Sequence, residues 1–476
     1  MGTVPQYTVK PRRRTLLLLA AFLLVLPGVA LAQDRAAPSF TCHMCGVEVL
    51  DTPNAFDAGG NPLCSKCAAA QPAAAAESVP YDIWTAKHLF GDWGGARTEL
   101  EDAGVKFSFL LGTMSQINFR GGLNTHNAHE TGGKAFYNVE LDFDKMVGFE
   151  GATFFARVIQ TWNTGIGADV GSLTAPYHSV GSSGDRSLEI DKYWYRQRLF
   201  DDRLEFRLGM LLNVGDLVDR NAYAGNYLSQ FANQAFYYNR TIPARKGIGA
   251  FVRVWPTEWL YVQGLVLDPD RDGDLHRHGT SGFETAFHGE DRCATFWEFG
   301  ANSSFDSPNG TLPGHYRLGL WVDSEVKPVY VSVLNDPRGR SEDVGWYFNF
   351  DQMVWKESDD AADKQGVGVF MRYGFAHPEV NLVNHSWTAG ASYLGPIPER
   401  DKDVLAFGIA QNIMSKTYRH NVDPLADRET IYELYYAIAL TPWCTITPDI
   451  QVITNPGGLR DARDALVAGL RFKMVF

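Results

Sequence analysis

The sequence predicts an all-β fold, a transmembrane antiparallel barrel of about sixteen strands with a short N-terminal helix and a small zinc-ribbon-like module ahead of it. Three observations carry that expectation. Segments of about ten residues alternate apolar with polar positions, charges recur in the middle of the polar faces, and a final alternating strand runs to an aromatic last residue. Composition permits a large ordered structure, with 476 residues, 45% hydrophobic and 13% aromatic. The formal net charge of -12 argues against a nucleic-acid binder, which would carry a basic balance.

The last strand is the clearest. In "RDALVAGLRFKMVF", Leu466, Ala468, Leu470, Phe472, Met474 and Phe476 form one face, and Gly469, Arg471 and Lys473 the other. The first strand, "VKFSFLLGTMSQINFR", sets Val105, Phe107, Phe109, Leu111, Ile117 and Phe119 against Lys106, Ser108, Gln116, Asn118 and Arg120, with Leu110 an exception. "AFYNVELDFDK" and "RLEFRLGM" repeat the dyad, and "ATFWEFGANSSF" and "HYRLGLWVD" show it less cleanly.

A soluble sandwich shares this pattern, because it buries apolar faces against each other. The charges decide between the two. Glu140, Asp142, Arg157, Arg207, Glu298 and Arg317 read as mid-strand positions. Each unpaired charge would cost several kcal/mol in a dry core and little in a watery lumen. Aromatics at expected strand ends (Tyr193, Trp194, Tyr195; Trp255, Trp259, Tyr261) read as interfacial girdles. No apolar run after residue 32 is long enough for a membrane helix.

Residues 1–32 read as a secretory signal. Lys10, Arg12, Arg13 and Arg14 precede the apolar run Leu16–Leu26, and Ala30-Leu31-Ala32 supplies the cleavage site. Its removal takes away four positive charges and leaves -16 where the whole chain carries -12. Residues 33–70 hold Cys42, Cys45, Cys64 and Cys67 in the spacing C-x2-C-x18-C-x2-C, which matches a structural zinc ribbon. Disulfides pairing across the two C-x2-C loops are the competing reading in an oxidising compartment. Haem attachment is excluded, since Gly46 and Ala68 stand where histidine is required. Residues 71–88, with "AAAQPAAAAESVP", read as a linker, and 89–476 as the barrel with its helix.

"LFGDWGGARTELEDAGV" (Leu89 to Val105) resembles the opening signature of the carbohydrate-selective outer-membrane porins, the OprB family. "YELYYAIALTPWCTITPDIQVITNPGG" (Tyr432 to Gly458) resembles that family's closing segment, and "LFDDRLEFRLG" and "LDPDRDGD" sit where similar pieces would be expected. The resemblance covers about residue 81 to the end. It implies a sixteen-stranded barrel in an outer membrane that passes monosaccharides and similar small solutes passively. The four-cysteine module departs from the family pattern. The first motif also reads unaided as a short helix, with Asp92 capping it, Arg97 and Glu101 four apart, and Gly104 as its left-handed stop.

Sugar selection in such a pore needs many hydrogen-bond donors and acceptors. Inward arginines suit this, since each guanidinium offers five fixed donors. Strand parity nominates Arg157, Arg207, Arg253, Arg317 and Arg372, with Glu140, Asp142 and Glu298 as acceptors. The alternative for any one of them is a salt bridge that only stiffens the wall. The expected partners are small sugars and outer-membrane lipids, with a periplasmic or cell-wall partner for the cysteine module and no nucleic acid. An envelope anchor or a less selective porin is the alternative function.

Other motifs carry less. Asp268, Asp270, Asp272 and Gly273 open like a calcium loop, but Gly279 stands where its glutamate belongs. Cys293 and Cys444 read as structural. His126, His129, His276, His278 and His288 lie in loop-like stretches, and no hydrolase, zinc-protease or phosphate-loop motif is present. An enzyme is not expected.

Overall fold

The structure, a computed structural model, describes residues 81–179, 186–268, 293–330, 339–340, 342–360 and 362–476, with four two-residue strands nearer the N-terminus. The chain divides into two units, Met1–Val79 and Pro80–Phe476. In the first, Phe40–Thr41 pairs antiparallel with Glu48–Val49, and Ala55–Phe56 with Pro62–Leu63. The signal peptide, the four cysteines with their zinc-ribbon reading, most of the linker and all of the calcium-like motif after Asp268 lie outside the described residues.

The second unit is a closed barrel of sixteen strands, each antiparallel to its sequence neighbour. Its first quarter is β1 (Val105–Arg120), β2 (His129–Asp142), β3 (Ala152–Trp162) and β4 (Arg186–Leu199). There follow β5 (Leu204–Leu212), β6 (Lys246–Val254), β7 (Leu260–Leu267) and β8 (Ala294–Ser307). Next are β9 (Gly310–Asp323), β10 (Asp343–Lys356), β11 (Gly366–Ala376) and β12 (Val383–Leu394). The ring ends with β13 (Val404–Met414), β14 (Arg428–Thr441), β15 (Cys444–Thr454) and β16 (Ala465–Val475), which pairs with β1. Turns at one end are as short as 308–309 and 442–443; the other end carries the long connections, among them 163–185, 213–245 and 268–293.

Alternation decides which side each residue faces. Outward positions expose Leu208, Phe299, Leu318, Leu320 and Phe407, each roughly half accessible. The expected faces of β1 and β16 hold: Gly469 pairs with Gln116 and Arg471 with Met114 on the inner side, while Leu470 faces out. The girdle reading needs correction. Tyr193 and Tyr195 face outward and Trp194 inward, because neighbours on a strand alternate; Trp194 pairs with the inward Gly209. Tyr261 also faces in and donates to Glu298 at 2.9 Å.

The inner face is less polar than expected. Phe251, Leu265, Phe296 and Trp321 point inward and are buried, because connection 213–245 enters the barrel and packs Leu217, Val218, Tyr238 and Ile242 on them. A second cluster joins Phe231 and Phe236 of that connection, and Ile166 and Val170 of connection 163–185, to Phe370, Ile431 and Tyr435 on the wall. Glycines make the room. A Cβ on Gly408 would meet Phe236 Cε1 at 2.6 Å, and one on Gly374 would meet Thr241 Oγ1 at 2.2 Å.

Among the described residues five short α-helices accompany the barrel. α1 (Ala96–Asp102) follows Asp92, whose carboxylate accepts from Thr98 N and Thr98 Oγ1 at 3.0 Å each. Gly104 stops it at φ +90°, where a Cβ would strike the Asp142 carbonyl at 2.7 Å. Arg97 does not pair with Glu101 as its spacing suggested. Its guanidinium stacks 4.4 Å from the Trp93 ring and donates to the Phe476 carbonyl at 2.9 Å. Phe476 N donates in turn to Phe109 O at 3.0 Å, and Leu89 N to Val475 O at 2.9 Å. The helix thus clasps the β1–β16 seam. Ile83, from the stretch read as linker, accepts from the Trp443 indole at 2.7 Å. α2 (Phe143–Val147) caps the β2–β3 turn, α3 (Gly167–Val170) and α4 (Gln234–Tyr237) lie in the inward connections, and α5 (Lys416–Asn421) follows β13.

Candidate functional site

The inner surface has two kinds of wall. From β8 round to β1, inward polar residues seat the two inward connections. Backbone N–H groups taken out of water need acceptors, and carboxylates supply strong ones. Glu433 accepts from Ala232 N and Asn233 N at 2.5 and 3.0 Å. Glu429 accepts from Leu173 N and Gly457 N at 2.7 and 2.9 Å. Gln116 and Gln451 both donate to the Pro176 carbonyl, and Arg471 donates to the Tyr227 carbonyl at 2.8 Å.

Asp219 is the centre of the seat. Its backbone lies in the left-handed region at φ 54°, an uncommon state for a residue with a side chain. Its carboxylate accepts from Asn349 Nδ2 at 2.6 Å and from Asn239 N at 3.2 Å, and lies 3.3 Å from Arg372 Nε. Its own N–H donates to Glu298 Oε2 at 2.9 Å. Glu298 also accepts from Tyr261, Gln263 and Tyr347, so each of its oxygens has two donors. Beside it Arg317 donates to Asp351 Oδ2 at 2.8 Å.

Three of the nominated path residues therefore lie beneath the seated connection. Glu298, Arg317 and Arg372 are 1%, 8% and 0% exposed. Their parity was read correctly, but a segment from elsewhere in the chain covers that wall: it bonds to Glu298 and Arg372, while Arg317 is held by Asp351 of the neighbouring strand. Asp142 is corrected as well. It ends β2 rather than lying mid-strand, and its Oδ1 accepts from Asp144 N and Lys145 N at the start of α2.

On the wall from β2 to β7 a set of inward side chains stays partly accessible, Glu140, Phe155, Arg157, Trp194, Arg196, Arg198, Arg207 and Arg253, beside buried ones such as Glu205, Phe251 and Gln263. The pairing makes a small lattice of inward residues. Trp194 lies across from Gly209, Arg196 from Arg207, and Arg198 from Glu205; Arg207 lies across from Phe251 and Glu205 from Arg253. Guanidinia and rings interleave. Arg207 sits 4.8 Å from the Trp194 ring, Arg253 5.2 Å from both Phe251 and Tyr261, and Arg157 5.3 Å from Phe136. Arg207 Nε donates to Glu205 at 2.7 Å, Arg253 Nε to Gln263 at 2.6 Å and Arg157 Nε to Asn138 at 2.7 Å. Each bond holds one edge of a guanidinium and leaves further donors over. Glu140 faces the same space from β2, paired across to Phe155.

The structure thus brings Arg157, Arg207, Arg253 and Glu140 to the accessible wall and places Glu298, Arg317 and Arg372 elsewhere. Sequence reasoning missed Arg196, Arg198 and Trp194. Their shared parity in "YWYRQRL" was the available signal, obscured by reading the aromatics as a girdle.

Above this lattice the two inward connections meet over a mixed charge cluster. Lys192 pairs with Asp216, and Asp191 lies 3.2 Å from Lys246 and 3.9 Å from Arg157. His178 packs against Tyr237 and Tyr227, with ring centroids at 4.3 and 4.6 Å. Burial, with Lys134 nearby, lowers the His178 pKa to about 3, so the ring is neutral.

Comparison with known proteins agrees with this architecture. The model of the family described as carbohydrate-selective porin, OprB family, matches residues 126–476. The chain is similar to Porin B of Pseudomonas aeruginosa, at 26% identity over 82% of this chain and 91% of that protein. It is also similar to the putative porin QuiX of Acinetobacter baylyi, at 23% identity over 83% of this chain and 95% of that one. Among solved structures, the high-pH form of Pseudomonas putida OprB superposes with a TM-score of 0.72 at 22% identity, covering 83% of this chain and all of that one. With its closed sixteen-strand barrel and a family match over residues 126–476, the chain belongs to the carbohydrate-selective porins of the OprB family, outer-membrane channels rather than enzymes.

Proposed function

We propose that sugars cross this barrel passively along the β2–β7 wall, handed between Arg157, Arg207 and Arg253 while their C–H faces slide over Trp194 and Phe155. The observation that carries this reading is the interleaving of guanidinia and rings on the accessible wall. Hydrogen-bonding groups and field at a narrow passage set selectivity in such pores. Glu140 is the acceptor on this path, and the outward apolar belt meets outer-membrane lipid. Liposome swelling tests the reading: glucose enters faster than a disaccharide or a neutral amino acid, and Arg207→Ala slows it severalfold. Rates graded by size alone would leave a general porin.

We also infer a role for the N-terminal unit. Residues 1–32 direct export, and residues 33–70 form a periplasmic module in which Cys42, Cys45, Cys64 and Cys67 hold one structural zinc and offer a surface to a periplasmic or cell-wall partner. The C-x2-C pairs at ribbon spacing support this. One zinc per chain in the purified protein is the expected result; two disulfides by mass and no zinc would replace it.

A further inference from the structure

The accessible wall carries more positive charge than a neutral sugar requires. Around Glu205 stand four guanidinia, those of Arg196, Arg198, Arg207 and Arg253, on the inward face of three consecutive strands. Glu205 pairs with Arg207 at 2.7 Å and Arg198 at 3.5 Å, and Arg198 also reaches Asp202 in the adjoining turn at 3.6 Å. Arg196 and Arg253 have no ion pair among the described residues. Arg196 donates one arm to Thr153 Oγ1 at 2.9 Å, and its Nε is buried without a partner.

Arg196 and Arg207 also face each other directly in register, an arrangement in which like charges repel. A wall that needed only donors for hydroxyl groups would be served by asparagine, glutamine or serine at lower electrostatic cost.

The inward connection adds to the excess. Arg220 and Arg240 are exposed on it, while their neighbours Asp219, Asn221, Asn239 and Thr241 are buried against the opposite wall. Its carboxylate Asp219 is spent on Arg372, and Asp216 on Lys192. Against these cations the wall sets Glu140 and Glu205, with Asp202 at the turn beside Arg198 and Asp191 shared among Lys192, Lys246 and Arg157, so the positive groups outnumber the carboxylates. The whole chain is acidic, so this positive strip runs against the overall charge.

On the channel reading above, we propose that the preferred cargo is an anionic polyhydroxylated solute, a sugar acid with one carboxylate. The carboxylate takes bidentate hydrogen bonds from Arg196 and Arg207 in turn and passes on to Arg253, while its hydroxyl groups use the same donors a neutral sugar would. Carboxylate and guanidinium remain charged throughout the ordinary pH range, so passage needs no proton transfer.

Planar bilayers holding the purified full chain across a potassium gluconate gradient, with glucose swelling of proteoliposomes from the same preparation, test this. The zero-current potential takes the sign of gluconate permeating faster than potassium. Arg196→Gln, which keeps an amide donor for Thr153 and removes the charge, lowers the gluconate-to-potassium ratio by about fivefold, the Boltzmann weight of one unit charge at about 4 Å in water. Arg253→Gln does the same from another strand and covers the case in which the first variant fails to insert. Glucose entry together with a potassium-selective potential overturns the sugar-acid proposal and leaves the sugar channel standing. So does a gluconate preference that neither variant alters. Failure of both solutes to cross overturns the channel reading with it.

Discussion

Arg372 on β11 and Arg207 on β5 are both inward-facing arginines of one barrel, yet they meet different surroundings. Arg372 is fully buried, 3.3 Å from Asp219 and donating to the carbonyls of Phe236 and Asp219. Arg207 keeps 16% of its side chain accessible, with one carboxylate and two rings around it. A guanidinium suits both places, because it offers many donors and loses its charge in neither. What separates the two is whether a distant segment of chain has been laid on that part of the wall. The same alternation therefore supplies a fastening on one strand and, on the path proposed above, a solute-facing group on another.

Breaking the fastening has the largest expected effect. Arg372→Ala leaves the Asp219 carboxylate buried without its cation, an error that costs about 3–5 kcal/mol in comparable buried pairs. The barrel ladder is untouched, so the loss falls on the seat: connection 213–245 becomes protease-sensitive and single-channel conductance rises. Unchanged proteolysis would mean that the hydrophobic clusters alone hold the connection.

Gly408→Val tests those clusters directly. Its side chain enters space filled by Phe231 and Phe236, and overpacking of this kind costs about 1–3 kcal/mol. The same proteolysis and conductance readouts apply, and the change is smaller than for Arg372→Ala.

Acid probes the meeting of the two connections. Seated, His178 has its pKa lowered to about 3, and released into water it returns to about 6.5. The unseated form therefore binds more protons between those values. Seating is at full strength above about pH 6.5 and weakens as pH falls, by about 1.4 kcal/mol per unit. Conductance recorded from pH 7 to pH 5 should rise, and His178→Phe should flatten the profile. A profile that His178→Phe leaves intact would assign the acid response to other groups.

The smallest effect on stability is expected on the accessible wall. Arg207→Ala lowers thermal stability less than Arg372→Ala does, because Arg198 still faces the buried Glu205 at 3.5 Å and keeps it paired. Its flux effect is larger than its stability effect, the reverse of what is expected for Arg372→Ala.

Much of the barrel was legible because alternation is a local property. The outward and inward sets of β1 and β16, the helix before β1 and its glycine stop, and the parity of Arg157, Arg207 and Arg253 could all be read along the strands. The seat was not legible, because it depends on pairs such as Ala232 with Glu433 and Asp219 with Asn349, which are remote in sequence. The blurred dyads of "ATFWEFGANSSF" and "HYRLGLWVD", with Phe296 and Trp321 on their polar faces, were the local traces of it. Phe296 breaks the polar face because a connection covers it, and the segment reads as an imperfect strand until that connection is known.

The clasp of α1 on the β1–β16 seam bears on the order in which the barrel assembles. Fifteen of the strand pairings join consecutive strands, and only the seam brings together the two ends of the ring. Arg97 and Phe476, which meet there, are 379 positions apart. Closing a flexible loop of that length costs about 5 kcal/mol of chain entropy. The consecutive pairings shorten that loop as they form, so the seam is the natural last step. A clasp that engages only when both edges are present acts then as a one-way catch, slowing the reopening of a ring whose free edges would otherwise be open to another chain.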